Sequence, residues 1–256
     1  MRGIGGPDPA FRDDDGSADA RVTAAFAAFA AGQGGEQSVL EALAASRLLV
    51  PVVAVLASHV EHAAGHTDGR PDRTGRRAAT PLSGEKAAEM AMPTLIGLDG
   101  RRAIPAFTSQ DSMRAWQADA RPVPVPAPRV WQAASADSCA VIVDVAGPVP
   151  LAVEGARLAA LARGEDAPAP CADPDVREAV SAVLAGQRAV AGFELRPGGA
   201  EHDLVIALTL SPGGTDTAVF DTTGLATGIG NAVMERLGGR FRRGIAIWLD
   251  AAGAPA

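Results

Sequence analysis

The chain has 256 residues, 47% of them hydrophobic and 21% charged, which suits one large or two small globular domains. A formal net charge of −7 argues against a nucleic-acid-binding surface, because neutralising phosphates requires a basic field. No run approaches the ~20 apolar residues of a membrane span, and the N-terminus lacks the apolar core of a signal peptide, so we expect a cytoplasmic protein with no membrane partner.

Two helices and a buried strand are predicted in the first sixty residues. The first helix has Ser17 or Asp19 as its cap and an apolar stripe at i, i+4 and i+7, formed by Val22, Phe26 and Phe29. The second helix covers "EQSVLEALAASR". The run "LLVPVVAVL" is too continuously apolar for a half-exposed strand, so it predicts a central strand buried on both faces.

A polar tract without periodicity follows, and we interpret residues 59–85 as a mobile loop. It contains His59, His62 and His66 at i, i+3 and i+7, a spacing that places three imidazoles on one helical face. Three imidazoles are sufficient to hold a zinc ion with one open position. However, a loose loop supplies no second shell to orient such ligands, so we interpret them as solvated histidines and expect no metal.

Patterned sequence resumes near residue 86. A hairpin is predicted around Asp99-Gly100, followed by a helix capped by Ser109 that carries Met113 and Trp116. The alternating prolines of "RPVPV" suit a short strand at the edge of a sheet or at a terminus. A helix around Val130, the strand "CAVIVDVAG" and a closing strand and helix complete this part of the chain.

The Pro- and Ala-rich segment 165–175 is interpreted as a linker between two domains. The element order after it is helix, strand, strand, helix, strand. We therefore predict an α+β protein with a flexible N-terminus (1–16), a mixed-sheet domain with flanking helices (17–164), and a smaller two-layer αββαβ domain (176–250).

One motif in the second domain suggests a nucleotide site. Gly224, Gly228 and Gly230 have the T-G-x-x-x-G-x-G spacing of short-chain dehydrogenases, and Asp250 lies where such folds hold the ribose hydroxyls. Only 26 residues follow Gly230, and the chain has no Tyr, so it lacks the Tyr-x-x-x-Lys pair of those enzymes. We interpret the glycines as a sharp turn into an ordinary helix and expect no cofactor; the alternative is a nucleotide-dependent enzyme that uses this turn.

The segments "SRLLVPVVAVL", "EKAAEMAMPTLIGLDGRRAIPAFTSQDSMRAW" and "VDVAGPVPLAVEGARLAALARG" resemble the SseB family, in the form common in actinobacteria. The family is named after an enhanced serine sensitivity phenotype, and the likeness covers roughly residues 10–164. It implies a soluble bacterial protein without an established catalytic mechanism. We therefore expect a non-enzymatic cytosolic protein that binds an unknown protein or small-molecule partner.

Two interpretations apply to the basic and aromatic residues of the resembling segment. The first is core packing of Pro105, Phe107 and Trp116 between a strand and the next helix. The second is an exposed aromatic groove suited to a peptide or a small acid, with a rim of basic side chains. That candidate binding site consists of Lys86, Arg101, Arg102, Phe107 and Trp116.

Overall fold

The computed structural model describes residues 11–56, 88–97, 100–211, 222–237 and 240–250. Up to residue 162, the helices are α1 (Ala20–Ala30), α2 (Glu36–Ala44), α3 (Gln110–Trp116), α4 (Ala127–Ala136) and α5 (Gly155–Ala162). The strands in the same range are β1 (Arg47–Leu56), β2 (Ala88–Ala91), β3 (Leu95–Ile96), β4 (Arg102–Ala106), β5 (Arg121–Pro126), β6 (Ala140–Val143) and β7 (Leu151–Val153). The remaining elements are α6 (Pro174–Leu184), β8 (Val190–Pro197), β9 (Leu204–Leu210), α7 (Thr222–Leu237) and β10 (Ile245–Asp250). The predicted α+β class and the helix-strand-strand-helix-strand order of the last five elements are confirmed.

Local signals begin the helices where the sequence predicts. The Asp19 side chain, rather than Ser17, accepts a hydrogen bond from the Arg21 amide and caps α1. Ser109 forms a capping box with Ser112 at the start of α3. Each cap satisfies backbone amides that have no partner inside the first helical turn.

Two sheets form in the first part of the chain. One is antiparallel with the order β2-β1-β5, and the other is mixed with the order β3-β4-β6-β7, in which β4 and β6 are parallel. Leu49 and Phe107 join the two sheets by reciprocal backbone hydrogen bonds of 2.8 and 2.9 Å. The predictions that β1 is a central strand and that the proline-rich β5 is an edge strand are confirmed. The predicted burial on both faces holds for the first part of β1, where Leu48, Leu49 and Val50 are fully buried, whereas Val52 and Val53 are half-buried.

The second part of the chain forms a sheet of order β10-β9-β8 packed against α6 and α7. Its β9 and β10 are parallel, and α7 connects them. The core of this unit is separate from the main core, which is built from α1, α2, α4, α5 and the inner faces of the first two sheets. Two cores agree with the predicted division into two domains, which stays a prediction.

The segment predicted as a linker contacts both units. Ala167 is buried in the first core, and its carbonyl accepts a hydrogen bond from Gln37 Nε2 at 2.9 Å. Asp173 caps α6, which begins at Pro174, inside the predicted range 165–175. The predicted mobile loop 59–85 lies outside the described residues.

A buried ionic cluster holds the two units against each other. The Glu36 carboxylate accepts hydrogen bonds from Arg157 Nη1 at 2.5 Å and from Arg240 Nε at 3.1 Å. Asp173 Oδ2 accepts a second bond from Arg240 at 2.7 Å. Burial lowers the pKa of Arg157, and the Glu36 carboxylate beside it opposes that shift. The four side chains come from positions distant in the chain, so they fix the second unit to α2 and α5.

The prediction that Gly224, Gly228 and Gly230 form a turn is wrong. All three lie inside α7, which begins at Thr222, before the first of them. Gly228 and Gly230 have no positive φ, so neither uses the conformational freedom that a glycine turn requires. The helix forms because Ile229 and Val233 bury an apolar face in the second core, which outweighs the poor helix propensity of glycine.

Candidate binding groove

The sheet β3-β4-β6-β7 buries one face in the main core, and among the described helices α3 packs against the other face only at its Phe107 end. Side chains alternate along each strand. The inward set is fully apolar and buried: Ile104, Ala106, Val141, Val143, Leu151 and Val153. The opposite set is also apolar. Pro105 is buried, as the packing interpretation predicts, whereas of the other four side chains Ala103, Ala140 and Ile142 are half-buried and Ala152 is exposed. Small side chains on this face leave a shallow concavity.

This concavity is an open groove of about 620 Å³, within the usual size range of ligand sites. Besides the four side chains of the sheet face, it is lined by Leu95, Ile96, Gly97, Arg101, Arg102, Trp116, Val145 and Glu154. Trp116 is half-buried and packs on the fully buried Phe107, with ring centroids 5.5 Å apart. The indole is therefore held in place from behind while part of it stays exposed.

Charged side chains are confined to one end of the groove. Arg101 Nη1 donates to Glu154 Oε2, and both side chains are solvent-exposed. Arg102 Nη2 donates to the Asp137 carbonyl oxygen at 2.7 Å, and Arg102 forms no ion pair with a carboxylate in the described part of the chain. A carbonyl acceptor positions the guanidinium without neutralising it. Alternation along β4 places Arg102 on the face of Ile104 rather than that of Ala103, so its net positive charge lies at the rim of the groove.

The structure brings together three of the five predicted site residues. Arg101, Arg102 and Trp116 line the same groove. Phe107 belongs to a small buried cluster with Leu49 and Met113, so the packing interpretation holds for this side chain and it is not exposed to a ligand. Lys86 lies outside the described residues.

The apolar floor was not predicted as part of the site. Ala103, Ile142 and Ala152 were assigned only to strands. One signal was available in the sequence. The strands that supply the floor have no polar residue at alternate positions, whereas a strand with one solvent-facing side normally alternates apolar and polar residues. Sequence alone does not show which of the two apolar faces the helices cover.

The glycine candidate for a nucleotide site is not assembled in the described residues. A phosphate-binding site requires the glycines to form a loop before a helix, but α7 contains all three of them: Gly224, Gly228 and Gly230. Asp250 is the last residue of β10. The described residues contain no group of three or more His, Cys, Asp or Glu able to hold a metal ion. His59, His62 and His66 lie outside those residues.

Comparison with known proteins gives one match. The family model described as SseB protein N-terminal domain matches residues 22–160, more than half of the chain and nearly the whole range of the resemblance. No curated protein and no solved structure matches the chain. None of the helices described is long and apolar enough to cross a membrane.

Proposed function

The chain belongs to the SseB family, and from that premise we propose that it is a non-enzymatic binding protein whose sheet groove takes an apolar group bearing an acid. The acidic group comes from a segment of a partner protein or from a small organic acid. The groove lies entirely within the family-matched residues 22–160. A cytoplasmic bacterial setting is part of the proposal, supported by the resemblance and by the unpaired cysteines Cys139 and Cys171.

The observation that carries the proposal is the exposed apolar part of the sheet face, formed by Ala103, Ile142 and Ala152. Exposed apolar surface gathered into one concavity marks an interaction site more often than scattered apolar residues do. Trp116 adds a partly exposed aromatic surface that is already immobilised by Phe107. A preformed surface binds without the entropy cost of ordering its side chains.

The composition of the groove favours binding over catalysis. Its described lining contains no Ser, Cys, His or Lys, the usual nucleophiles and bases. Its one carboxylate, Glu154, is paired with Arg101. The rival nucleotide-dependent enzyme has less support, because its glycines belong to α7 rather than to a loop that approaches a phosphate.

Arg102 defines the charge of the ligand. Its guanidinium carries fixed positive charge at every physiological pH and presents a planar fork that matches a carboxylate. Because the hydrogen bond to Asp137 uses only one of its donors, the others are available to an acid that reaches the rim of the groove.

A pair of fluorescent probes separates the apolar and ionic parts of the site. Anilinonaphthalene sulfonate combines aromatic rings with an anion, whereas N-phenylnaphthylamine has similar rings without charge. We expect both to bind the full-length protein saturably. Ala152→Glu should abolish binding of both, because it places a bulky anion on the apolar floor.

Arg102→Ala should weaken binding of the anionic probe and leave binding of the neutral probe unchanged. The matched control is Arg129→Ala, which removes an exposed arginine of α4 that does not line the groove. Equal effects of Arg102→Ala and Arg129→Ala on the anionic probe would contradict the site. Unchanged binding of both probes by Ala152→Glu would contradict it as well.

A further inference from the structure

Exposed sheet edges are templates for pairing with another chain, and most edges in this protein carry a feature that prevents it. The strands β3 and β7 have only two and three residues. A charge lies in the four-residue β2, and prolines alternate along β5. The strand β8 contains Glu194, Arg196 and Pro197 and a register irregularity next to Gly192. Each of these features is a known device against edge-to-edge association.

The edge strand β10 has no proline and no charge before its last residue, Asp250. It pairs with β9 over six residues without a register shift, and its first five residues, "IAIWL", are all apolar. Its other side has no strand partner among the described elements. No described strand therefore bonds to the backbone groups of β10 that point away from β9.

Two large apolar side chains on β10 are exposed to solvent. Trp248 is 53% exposed and Leu249 is 37% exposed, and the third exposed large apolar residue of the described chain is Ile96 on β3. Tryptophan is the residue type most enriched at the centres of protein interfaces. Their neighbours in the strand, Ile245 and Ile247, pack against the second core, so β10 is a fixed element rather than a frayed end.

We propose that β10 pairs antiparallel with β10 of a second copy of this chain about a twofold axis. Such a pair joins two three-stranded sheets into one of six strands and removes both exposed edges. This inference is independent of the groove, which lies on another sheet.

The charges around the strand favour a second copy in the antiparallel order. Arg242 precedes β10, and Asp250 ends it. Arg242 is exposed and lies with its guanidinium over the Phe29 ring at 5.4 Å, but it forms no ion pair with a described carboxylate. Antiparallel pairing of identical strands brings the basic end of each beside the acidic end of the other. The twofold axis repeats this attraction at both ends of the strand pair.

Side-chain sizes are also self-complementary. An axis through Ile247 places Trp248 of each copy opposite Ala246 of the other, on one face of the joined sheet. Directly opposed side chains in an antiparallel pair have Cβ atoms roughly 4.5–5.5 Å apart, so an indole beside an alanine fits where two indoles would compete.

Sedimentation equilibrium of the full chain from about 1 µM to about 1 mM covers the range of weak and moderate dimers. We expect the mass to rise with concentration from 25.9 kDa to twice that value. Trp248→Lys should weaken dimerisation by about tenfold or more, as expected for a central aromatic anchor. Ile96→Lys makes the same kind of change on the short edge β3 and should leave the dimer unchanged; thermal melts establish that both variants fold.

Charge reversal tests the strand order. Arg242→Glu and Asp250→Arg should each weaken the dimer several-fold, and the double variant should regain most of the loss. A wild-type chain that stays monomeric over the whole range refutes the proposal. Equal effects of Trp248→Lys and Ile96→Lys refute it too, and a double variant weaker than both single variants refutes the antiparallel order.

Discussion

Replacing Gly228 by alanine should stabilise the protein, because this glycine occupies an ordinary position inside α7. A glycine in a helix interior costs about 1 kcal/mol relative to alanine. The side chain added at Gly228 would meet no heavy atom within 4 Å, so no steric cost opposes the gain. At Gly230 the added carbon would lie 3.9 Å from Ile247 Cγ1, an ordinary van der Waals contact. We expect each variant to gain about 0.5–1 kcal/mol in the free energy of unfolding.

Urea denaturation followed by far-UV circular dichroism measures this gain in the free energy of unfolding. Thermal denaturation should show a rise in Tm of about 2–4 °C per kcal/mol for a chain of this size. Gly155→Ala is the matched control. Gly155 has φ +58°, and an added Cβ would overlap the Asp175 carboxylate, which accepts a hydrogen bond from the Ala156 amide at 2.8 Å. The Gly155→Ala variant should lose more than about 1 kcal/mol in the free energy of unfolding. Destabilisation by Gly228→Ala would refute the helical assignment and restore the turn.

Two further predictions concern the ionic contacts. Glu36→Ala leaves Arg157 and Arg240 without their shared carboxylate and should cost about 3–5 kcal/mol in unfolding free energy, measured by urea denaturation. Hydrogen bonds from Arg47 hold the pKa of Asp14 below its ordinary value of 3.8. The Asp14 carboxylate therefore contributes its full stability above that pH and loses it as the pH falls through the lower folded-state pKa. Acid titration of stability should show this loss in the wild type and a smaller one in Arg47→Met.

Much of the fold follows from local pattern. The apolar stripe of α1 and the Ser109 cap of α3 each depend on a few consecutive residues, so their signals survive in the sequence. The prolines of β5 exclude a central position for the same local reason. The turn predicted at the glycines of α7 is wrong because their spacing is a local signature of a turn, whereas the burial of Ile229 in the second core decides the conformation.

The site was harder to predict because it depends on which face of a sheet is covered. Phe107 and Trp116 are both aromatic and lie in the same strand-helix unit, yet one is buried and the other lines the groove. The difference comes from the packing of α3, which has no local sequence signal. The ionic cluster joins Glu36 to Arg240 across 204 positions, and no spacing rule relates residues so far apart.

The central claim, that the exposed apolar part of the sheet face binds an apolar acid, is tested most directly by methyl NMR of the full-length protein titrated with anilinonaphthalene sulfonate. Labelled isoleucine and alanine methyl groups report on both units of the chain. The account predicts saturable shifts at Ala103, Ile142 and Ala152, with no change at Ile229 in α7. Shifts confined to α7 and β10, with the sheet face unaffected, would contradict it.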